Sequence, residues 1–126
     1  MKKLIFTDKA PAPIGPYSQA VLVGNTLYTS GQIAIDPANG SLVTETIEQE
    51  TKMVMENVKA VLNAAEMDFN HVVKATIFIT DMNDFVKING VYGSYFTDEN
   101  APARETVQVA ALPKNVNIEI SVIASK

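Results

Sequence analysis

The feature that most constrains the fold is a change of hydrophobic period in the middle of the chain. From Thr46 to Ala65, apolar residues recur at three- and four-residue spacing, which predicts one buried face of an α-helix. Thr46 and Gln49 at the start of this segment fit a capping box. Runs of β-branched and aromatic residues occur before and after it, at 20–29 and 72–80. The chain therefore combines a long amphipathic helix with several strands.

Four more strands are predicted in addition to the one at 72–80. Residues 20–23 and 26–29 flank Gly24-Asn25, and a two-residue loop of this kind is typical of a β-hairpin. Near the end of the chain, 103–110 and 116–124 are the last two predicted strands.

A second helix is predicted between the strand at 72–80 and the one at 103–110. Asp81 or Asn83 can cap it, and Gly90 lies inside it although glycine is a poor helix former. Its apolar side follows the helical spacing of Phe85, Ile88, Tyr92, Tyr95 and Phe96.

This order of elements predicts an α+β fold in which two helices cover one face of a sheet, giving two layers. In the last strand, Val116 and every second residue after it point to one face, and Asn117 and its alternates point to the other. Earlier strands are apolar on both faces, as at 21–23 and 77–79. Because two helices cover only one face, we expect a partner subunit on the other.

Composition restricts the function further. The 126 residues predict one domain, 1–126, with a net charge of −4 and no cluster of Lys and Arg, so nucleic acid is not expected as the main partner. No apolar stretch is long enough for a membrane span or a secretory signal, and we expect a cytoplasmic protein.

Several kinds of chemistry are also excluded by composition. The chain has no cysteine and one histidine, His71, which precedes a strand and is expected to have a structural position only. This leaves no thiolate nucleophile and makes a Ser-His-Asp triad or a histidine-rich metal site improbable. Any catalysis is expected to use Arg, Glu, Tyr, Ser and backbone amides, with no metal and no cofactor.

Two short segments stand out for their rigidity and charge. Residues 13–20 contain Pro13 and Pro16 around a glycine, which makes a stiff loop that presents Tyr17 before a strand begins. Residues 101–106 place Arg104 just after a proline at a strand entrance, and an arginine fork suits a carboxylate. Together these segments resemble the RidA/YjgF family of enamine/imine deaminases, and the resemblance extends over nearly the whole chain.

The resemblance implies more than the patterns do. It implies a chorismate-mutase-like homotrimer whose sheets pack around a central barrel, with sites at the subunit interfaces. Arg104 matches the family's carboxylate-binding arginine, although from the residues alone a surface arginine is an equal alternative. Glu119 matches the glutamate that holds a water. It lies on the second face of the last strand, and if that face meets a neighbouring subunit, Glu119 is partly buried, which raises the pKa of a carboxylic acid.

Five other positions match the family pattern. Tyr17 and Ser30 would line the pocket, Gly31 would let a ligand approach the backbone closely, and Asn89 would support the site from the second helix. Thr106 occupies a position where many relatives have cysteine, and its backbone amide would contact the substrate.

The function implied by the resemblance is hydrolysis of reactive 2-enamine/2-imine acids, such as 2-aminoacrylate and 2-iminobutanoate, to 2-keto acids and ammonia. Two alternatives are open. One is a carboxylate-binding or chaperone-like protein without turnover, which uses the same residues. The other is endoribonuclease, an activity also attached to the family, against which the acidic composition counts.

Overall fold

The structure is a computed structural model that describes residues 1–126. It contains six strands and two α-helices: β1 (Lys2–Ile5), β2 (Ala20–Val23), β3 (Thr26–Thr29), α1 (Ile47–Ala64), β4 (Val72–Ile79), α2 (Phe85–Gly93), β5 (Ala103–Gln108) and β6 (Ile118–Ser125). Neither helix combines the length and apolar character that a membrane crossing requires.

The strands form one sheet in the order β1-β2-β3-β6-β4-β5. All neighbouring pairs are antiparallel except β4 and β5, which are parallel and are connected through α2. Both predicted helices exist and α1 packs on the sheet, so the predicted two-layer α+β architecture is confirmed. The last strand of the chain, β6, lies in the middle of the sheet and carries Glu119.

The α1 helix forms where the period of three and four residues predicts it. It begins after Thr46, whose hydroxyl oxygen accepts a hydrogen bond of 3.1 Å from the backbone N–H of Gln49, so one half of the predicted capping box is formed. Its apolar face is buried against the sheet and includes Val54, Met55, Val58, Val61 and Leu62. Each aliphatic side chain buried in this way contributes about 1.5–3 kcal/mol to stability.

The alternation predicted for the last strand is confirmed. Val116, Ile118, Ile120 and Val122 are buried on the helix side, whereas Glu119 and Ser121 on the opposite face are partly accessible. That opposite face carries apolar side chains in the open: Tyr28 is 48% and Val107 is 41% exposed. In the single chain, the face of the sheet opposite the helices is therefore partly apolar and no other element packs on it, as the sequence predicts.

Two local predictions differ from the structure. The short edge strand β1 is not predicted from the sequence, because Lys2 and Lys3 hide its signal and its pairing is supplied by β2. The α2 helix ends at Gly93, so Tyr95 lies beyond it, with its ring centroid 5.2 Å from that of Phe69. Helical spacing continues past Gly93 because aromatic side chains are needed there for packing on the core.

Candidate functional site

One cleft of about 560 Å³ collects four of the predicted site residues: Tyr17, Ser30, Gly31 and Glu119. We refer to it as the Glu119 cleft. Glu119 comes from β6 on the face away from the helices and is half-buried. Burial raises the pKa of its carboxyl group above the ordinary value, as the sequence analysis expects for a carboxylate in such a position. A raised pKa suits a group that takes and returns a proton near neutral pH.

Gly31 lies directly against the Glu119 carboxyl group. A Cβ atom at this glycine would be 2.4 Å from Glu119 Oε2 and 2.6 Å from its Cδ, which is closer than any real contact. The missing side chain thus makes room for the carboxylate, and the expected role of letting a ligand approach the backbone stays a prediction. The segment is fixed by two backbone hydrogen bonds between Gln32 and Ile120, of 2.8 Å and 3.1 Å.

The rigid loop predicted at 13–20 forms one wall of the cleft. Gly15 has φ of 122°, which side chains rarely adopt, and its carbonyl accepts a hydrogen bond of 2.9 Å from the Tyr17 N–H. The Tyr17 hydroxyl oxygen accepts a bond of 3.3 Å from the Ile14 N–H, and its side chain is half exposed. The phenol group is thus placed by its own loop and is still accessible to a ligand.

Ser30 and Gln19 connect this loop to the sheet. The Ser30 hydroxyl donates to the Ser18 carbonyl, so a ligand would find its oxygen available as an acceptor. Gln19 is buried, and its side chain exchanges hydrogen bonds with the Thr7 backbone at 2.7 Å and 2.9 Å and donates to the Pro11 carbonyl at 2.9 Å. These hydrogen bonds of Gln19 are not predicted from the sequence, because a glutamine before a strand carries no periodic signal.

Two more buried polar residues, also missed from sequence, support the cleft from α1. The Glu50 carboxylate accepts bonds of 2.7 Å from both the backbone and the side-chain amide of Asn117, just before β6. Asn57 donates to the carbonyls of Ile33 and Ile35 at 3.1 Å and 2.9 Å. Buried polar groups of this kind are costly unless paired, and here the pairing fixes both segments that carry cleft residues.

Arg104 lies on β5 and is held by α2. Its guanidinium carbon is 5.6 Å from the centroid of the Phe85 ring and 5.0 Å from that of Tyr92, and its Nη1 donates to Asn89 Oδ1. The three partners lie at i, i+4 and i+7 on one side of the helix. We call this group of four residues the Arg104 clamp. The arrangement leaves part of the donor fork free for a carboxylate.

Thr106 lies two residues further along β5. Its side-chain hydroxyl is buried without a hydrogen-bond partner, as is the hydroxyl of Tyr92. The N–H of Val109 bonds to the Ile79 carbonyl at 2.8 Å, so by alternation the Thr106 N–H points away from β4. Because β5 is an edge strand, this amide is directed to the free edge of the sheet.

The structure separates Arg104 from Glu119. Arg104 pairs with Ala75 and Glu119 with Phe78, which lie three residues apart on β4 and on opposite faces of the sheet. With strands about 4.8 Å apart and a rise of about 3.3 Å per residue, the two backbones differ by roughly 10 Å across the strands and roughly 10 Å along them. Within one chain the Glu119 cleft and the Arg104 clamp are therefore two separate groups.

Lys74, Glu105 and His71 lie outside both groups. Lys74 forms an ion pair of 3.0 Å with Glu105 on the face of the sheet that carries Glu119, so Glu105 points away from the clamp. The ring Nδ1 of His71 accepts a bond of 3.0 Å from the Asp68 N–H in a short 3₁₀ turn, which is a structural position. No group of three or more His, Asp or Glu side chains is arranged to hold a metal ion.

Comparison with known proteins gives consistent matches over the whole chain. The family model described as Endoribonuclease L-PSP matches residues 7–126. A RutC family protein of Pyrococcus horikoshii is 53% identical, covering 100% of this chain and 99% of that protein. The 2-iminobutanoate/2-iminopropanoate deaminase of Bos taurus is 52% identical over 98% of this chain and 90% of its own length.

A solved structure agrees with these sequence matches. E. coli TdcF with bound serine superposes with a TM-score of 0.93 at 44% identity, covering 98% of both chains. Such identities over full-length alignments are well above what a shared fold alone produces. The chain therefore belongs to the Endoribonuclease L-PSP family, the RidA/YjgF family that its sequence resembles.

Proposed function

We propose that this protein is a deaminase that hydrolyses reactive 2-enamine and 2-imine acids to 2-keto acids and ammonia. The observation that carries the proposal is the half-buried Glu119 carboxyl group, whose pKa is raised by burial and which faces a cleft beside Tyr17 and Ser30. Relatives at about half identity with the deaminase name support the same reaction class. Short-lived imines must be met where they are produced, which fits the expected cytoplasmic location.

The complete site forms between subunits of a homotrimer. In a closed ring each subunit contacts its two neighbours through two different surfaces. The Glu119 cleft and the Arg104 clamp lie apart in one chain, and the apolar second face has no cover, so assembly is required to bring the two groups together. Each interface would then combine the cleft of one subunit with the clamp of the next.

Arg104 and the Thr106 N–H bind the substrate carboxylate in this scheme. Asn89, Phe85 and Tyr92 keep the guanidinium oriented, so little freedom is lost on binding. Tyr17 and the Ser30 oxygen lie toward the nitrogen of the substrate, where an N–H can donate to them. The imine carbon is thereby held near the Glu119 carboxylate.

Glu119 carries the protons of the reaction. It accepts a proton from a water as the water oxygen bonds to the carbon of the protonated imine and the C=N π electrons move to nitrogen. It then gives this proton to the nitrogen, which becomes an ammonium group and leaves as ammonia with the C–N bond electrons, while the O–H bond electrons form the C=O bond and the hydroxyl proton passes to Glu119. Release of that proton to ammonia or solvent restores the carboxylate. A neutral enamine reaches the same protonated imine by taking a proton at C3. This chemistry needs position and one proton carrier rather than a covalent nucleophile.

The rival functions make different demands. The family description names an endoribonuclease, but RNA binding needs clustered positive charge, and this chain has ten basic against fourteen acidic residues. A carboxylate-binding protein without turnover would need the Arg104 clamp and would have no use for a carboxyl group with a raised pKa in the cleft.

The test couples the purified protein to a serine/threonine dehydratase that generates the imine from its amino acid. Imine decay and keto-acid release are followed by absorbance for the wild type, Arg104→Gln and Glu119→Gln, with Lys59→Gln on the exposed side of α1 as the matched control. We expect acceleration by the wild type and the control, and a loss of about 100-fold or more in each site variant. An Arg104→Gln protein with the full rate would contradict the clamp, and an inactive wild type would contradict the deaminase.

A further inference from the structure

The Glu119 cleft contains a second charged residue that the proposed reaction does not use. Lys114 lines the same cleft and is exposed. It and Glu119 are the only charged side chains among the thirteen lining residues, and the two do not form an ion pair. Two opposite charges that share a cleft without contact leave room between them for a ligand.

The position of Lys114 is imposed by its backbone. Lys114 and Asn115 have φ of 57° and 56°, in a left-handed region that few residues other than glycine adopt. Two consecutive residues of this kind cost energy and persist only where the surroundings fix them. Here the turn is closed by a bond of 3.0 Å from the Asn115 N–H to the Leu112 carbonyl.

The same turn is tied to the core on its other side. Asn117 follows within three residues and is bound by the buried Glu50 carboxylate through both of its amide groups at 2.7 Å. From Asn117 the chain continues directly into β6 and Glu119. Lys114 and Glu119 are thus presented to the same cleft by one fixed segment.

Lys114 has no partner among the carboxylates of the chain. The two ion pairs of the structure do not include it, so its ammonium group is available to an anion from outside. Apolar side chains also line the cleft, among them Ile14, Ile33 and Ile35.

We propose that Lys114 forms an anion subsite that favours substrates with a second carboxylate, which are the 2-imino acids derived from acidic amino acids. This inference rests on the proposed function, in which the 2-carboxylate goes to Arg104 and the imine carbon to Glu119. The side chain of the substrate then extends along the apolar side chains of the cleft, and its terminal carboxylate meets the Lys114 ammonium group. The cleft volume of about 560 Å³ exceeds what a four-carbon acid fills, so space for a longer side chain is available.

The experiment measures binding of two keto acids of equal chain length by calorimetry. 2-Oxoglutarate carries the second carboxylate, and 2-oxopentanoate has a methyl group in its place. The ratio of their Kd values is determined for the wild type, Lys114→Gln and Lys114→Arg, with Lys59→Gln as the matched control. A partly exposed ion pair predicts a preference for 2-oxoglutarate of roughly fivefold in the wild type, in Lys114→Arg and in the control, and its loss in Lys114→Gln.

The outcomes separate this inference from the proposed function. If the wild type binds 2-oxopentanoate as well as 2-oxoglutarate, or if Lys114→Gln keeps the preference, the Lys114 subsite is wrong and the carboxylate clamp stands. If the wild type binds neither keto acid, the clamp and the subsite both fail. If Lys114→Arg keeps the preference, the positive φ turn tolerates a different side chain at this position. Loss of the preference for 2-oxoglutarate in Lys114→Gln then reports the loss of the positive charge.

Discussion

The Glu119 cleft and the Arg104 clamp position their charged groups by different means. The cleft is built from backbone: a glycine without a Cβ at position 31, a left-handed glycine at position 15 and paired amides between Gln32 and Ile120. The clamp is built from side chains of a single helix, two aromatic rings and one amide, that surround a guanidinium group.

This difference predicts different responses to substitution. A backbone-built site depends on a few positions at which only glycine fits, and a change there moves the catalytic group at once. A side-chain-built site distributes the same task over several contacts, so each loss is partial. The following predictions test this contrast and the assignment of the two groups to different subunits, from the largest expected effect to the smallest.

The largest effect is expected from mixing two inactive proteins. Arg104→Gln and Glu119→Gln chains carry different tags and are coexpressed, and trimers containing both are purified. If every site combines the clamp of one subunit with the cleft of the next, one of the three interfaces in each mixed trimer contains both native residues, and activity recovers to about a third of the wild-type value. Mixed trimers as inactive as their parents would mean that each site belongs to one chain.

Gly31→Ala is expected to lower kcat/KM by about 100-fold. The new methyl group would displace the Glu119 carboxyl group, and a displacement of about 1 Å at a catalytic group costs about that much. Stability should change little, because the atoms that must move are the far end of a side chain. Steady-state kinetics and thermal melts measure the two effects.

The matched control is Gly90→Ala in α2, where a Cβ would meet nothing within 4 Å. Replacing a helical glycine by alanine stabilises a protein by about 1 kcal/mol, and activity should be retained. Equal activity losses in the Gly31 and Gly90 variants would contradict the special position of Gly31.

Tyr92→Leu is expected to raise KM roughly fivefold to tenfold with a smaller change in kcat. The ring 5.0 Å from the Arg104 guanidinium holds it by a cation–π contact, and leucine fills the space without this attraction. Tyr92→Phe keeps the ring and removes only a hydroxyl that has no partner, so KM should stay near the native value. A KM for the phenylalanine variant as high as that for leucine would show that the hydroxyl, and not the ring, matters.

The smallest expected effect is a gain in stability for Glu119→Gln. Burial raises the folded-state pKa of Glu119 above its unfolded value, so the folded protein holds this proton more tightly and loses stability as pH rises through the folded-state pKa. Glutamine avoids this cost, and the gain should be present near pH 8 and shrink toward pH 4. Thermal melts at both pH values measure it, and a gain that grows on acidification would contradict the burial of the carboxylate.

The same carboxyl group links stability to activity. Lys114 and Tyr17 are the other titratable groups of the cleft, and neither pairs with Glu119. In the proposed reaction the ionised form accepts the proton, so kcat/KM should fall as the pH drops through the raised pKa of Glu119. The native residue is thus expected to lower stability at the pH at which it is active.

The local elements were predictable from sequence because their signals are periodic. The period of α1, the two-residue loop after Val23 and the alternation of β6 each identify an element and its buried face. Residue resemblance also indicated the candidates Arg104 and Glu119, and the raised pKa of Glu119 followed from its expected half-burial. These properties depend on residues that are close together in the chain.

The relation between the two groups could be seen only in the tertiary structure. Pairing of Ala75 with Arg104 and of Phe78 with Glu119 sets the two charged residues on opposite faces, and a shift of either strand by one residue would reverse this. Gly31 meets Glu119, which is far away in the chain, only because the segment after β3 pairs with β6. Sequence periodicity determined which face of each element is buried. Which residues those faces contact was decided by the order and register of the strands in the sheet, because both are fixed by long-range packing.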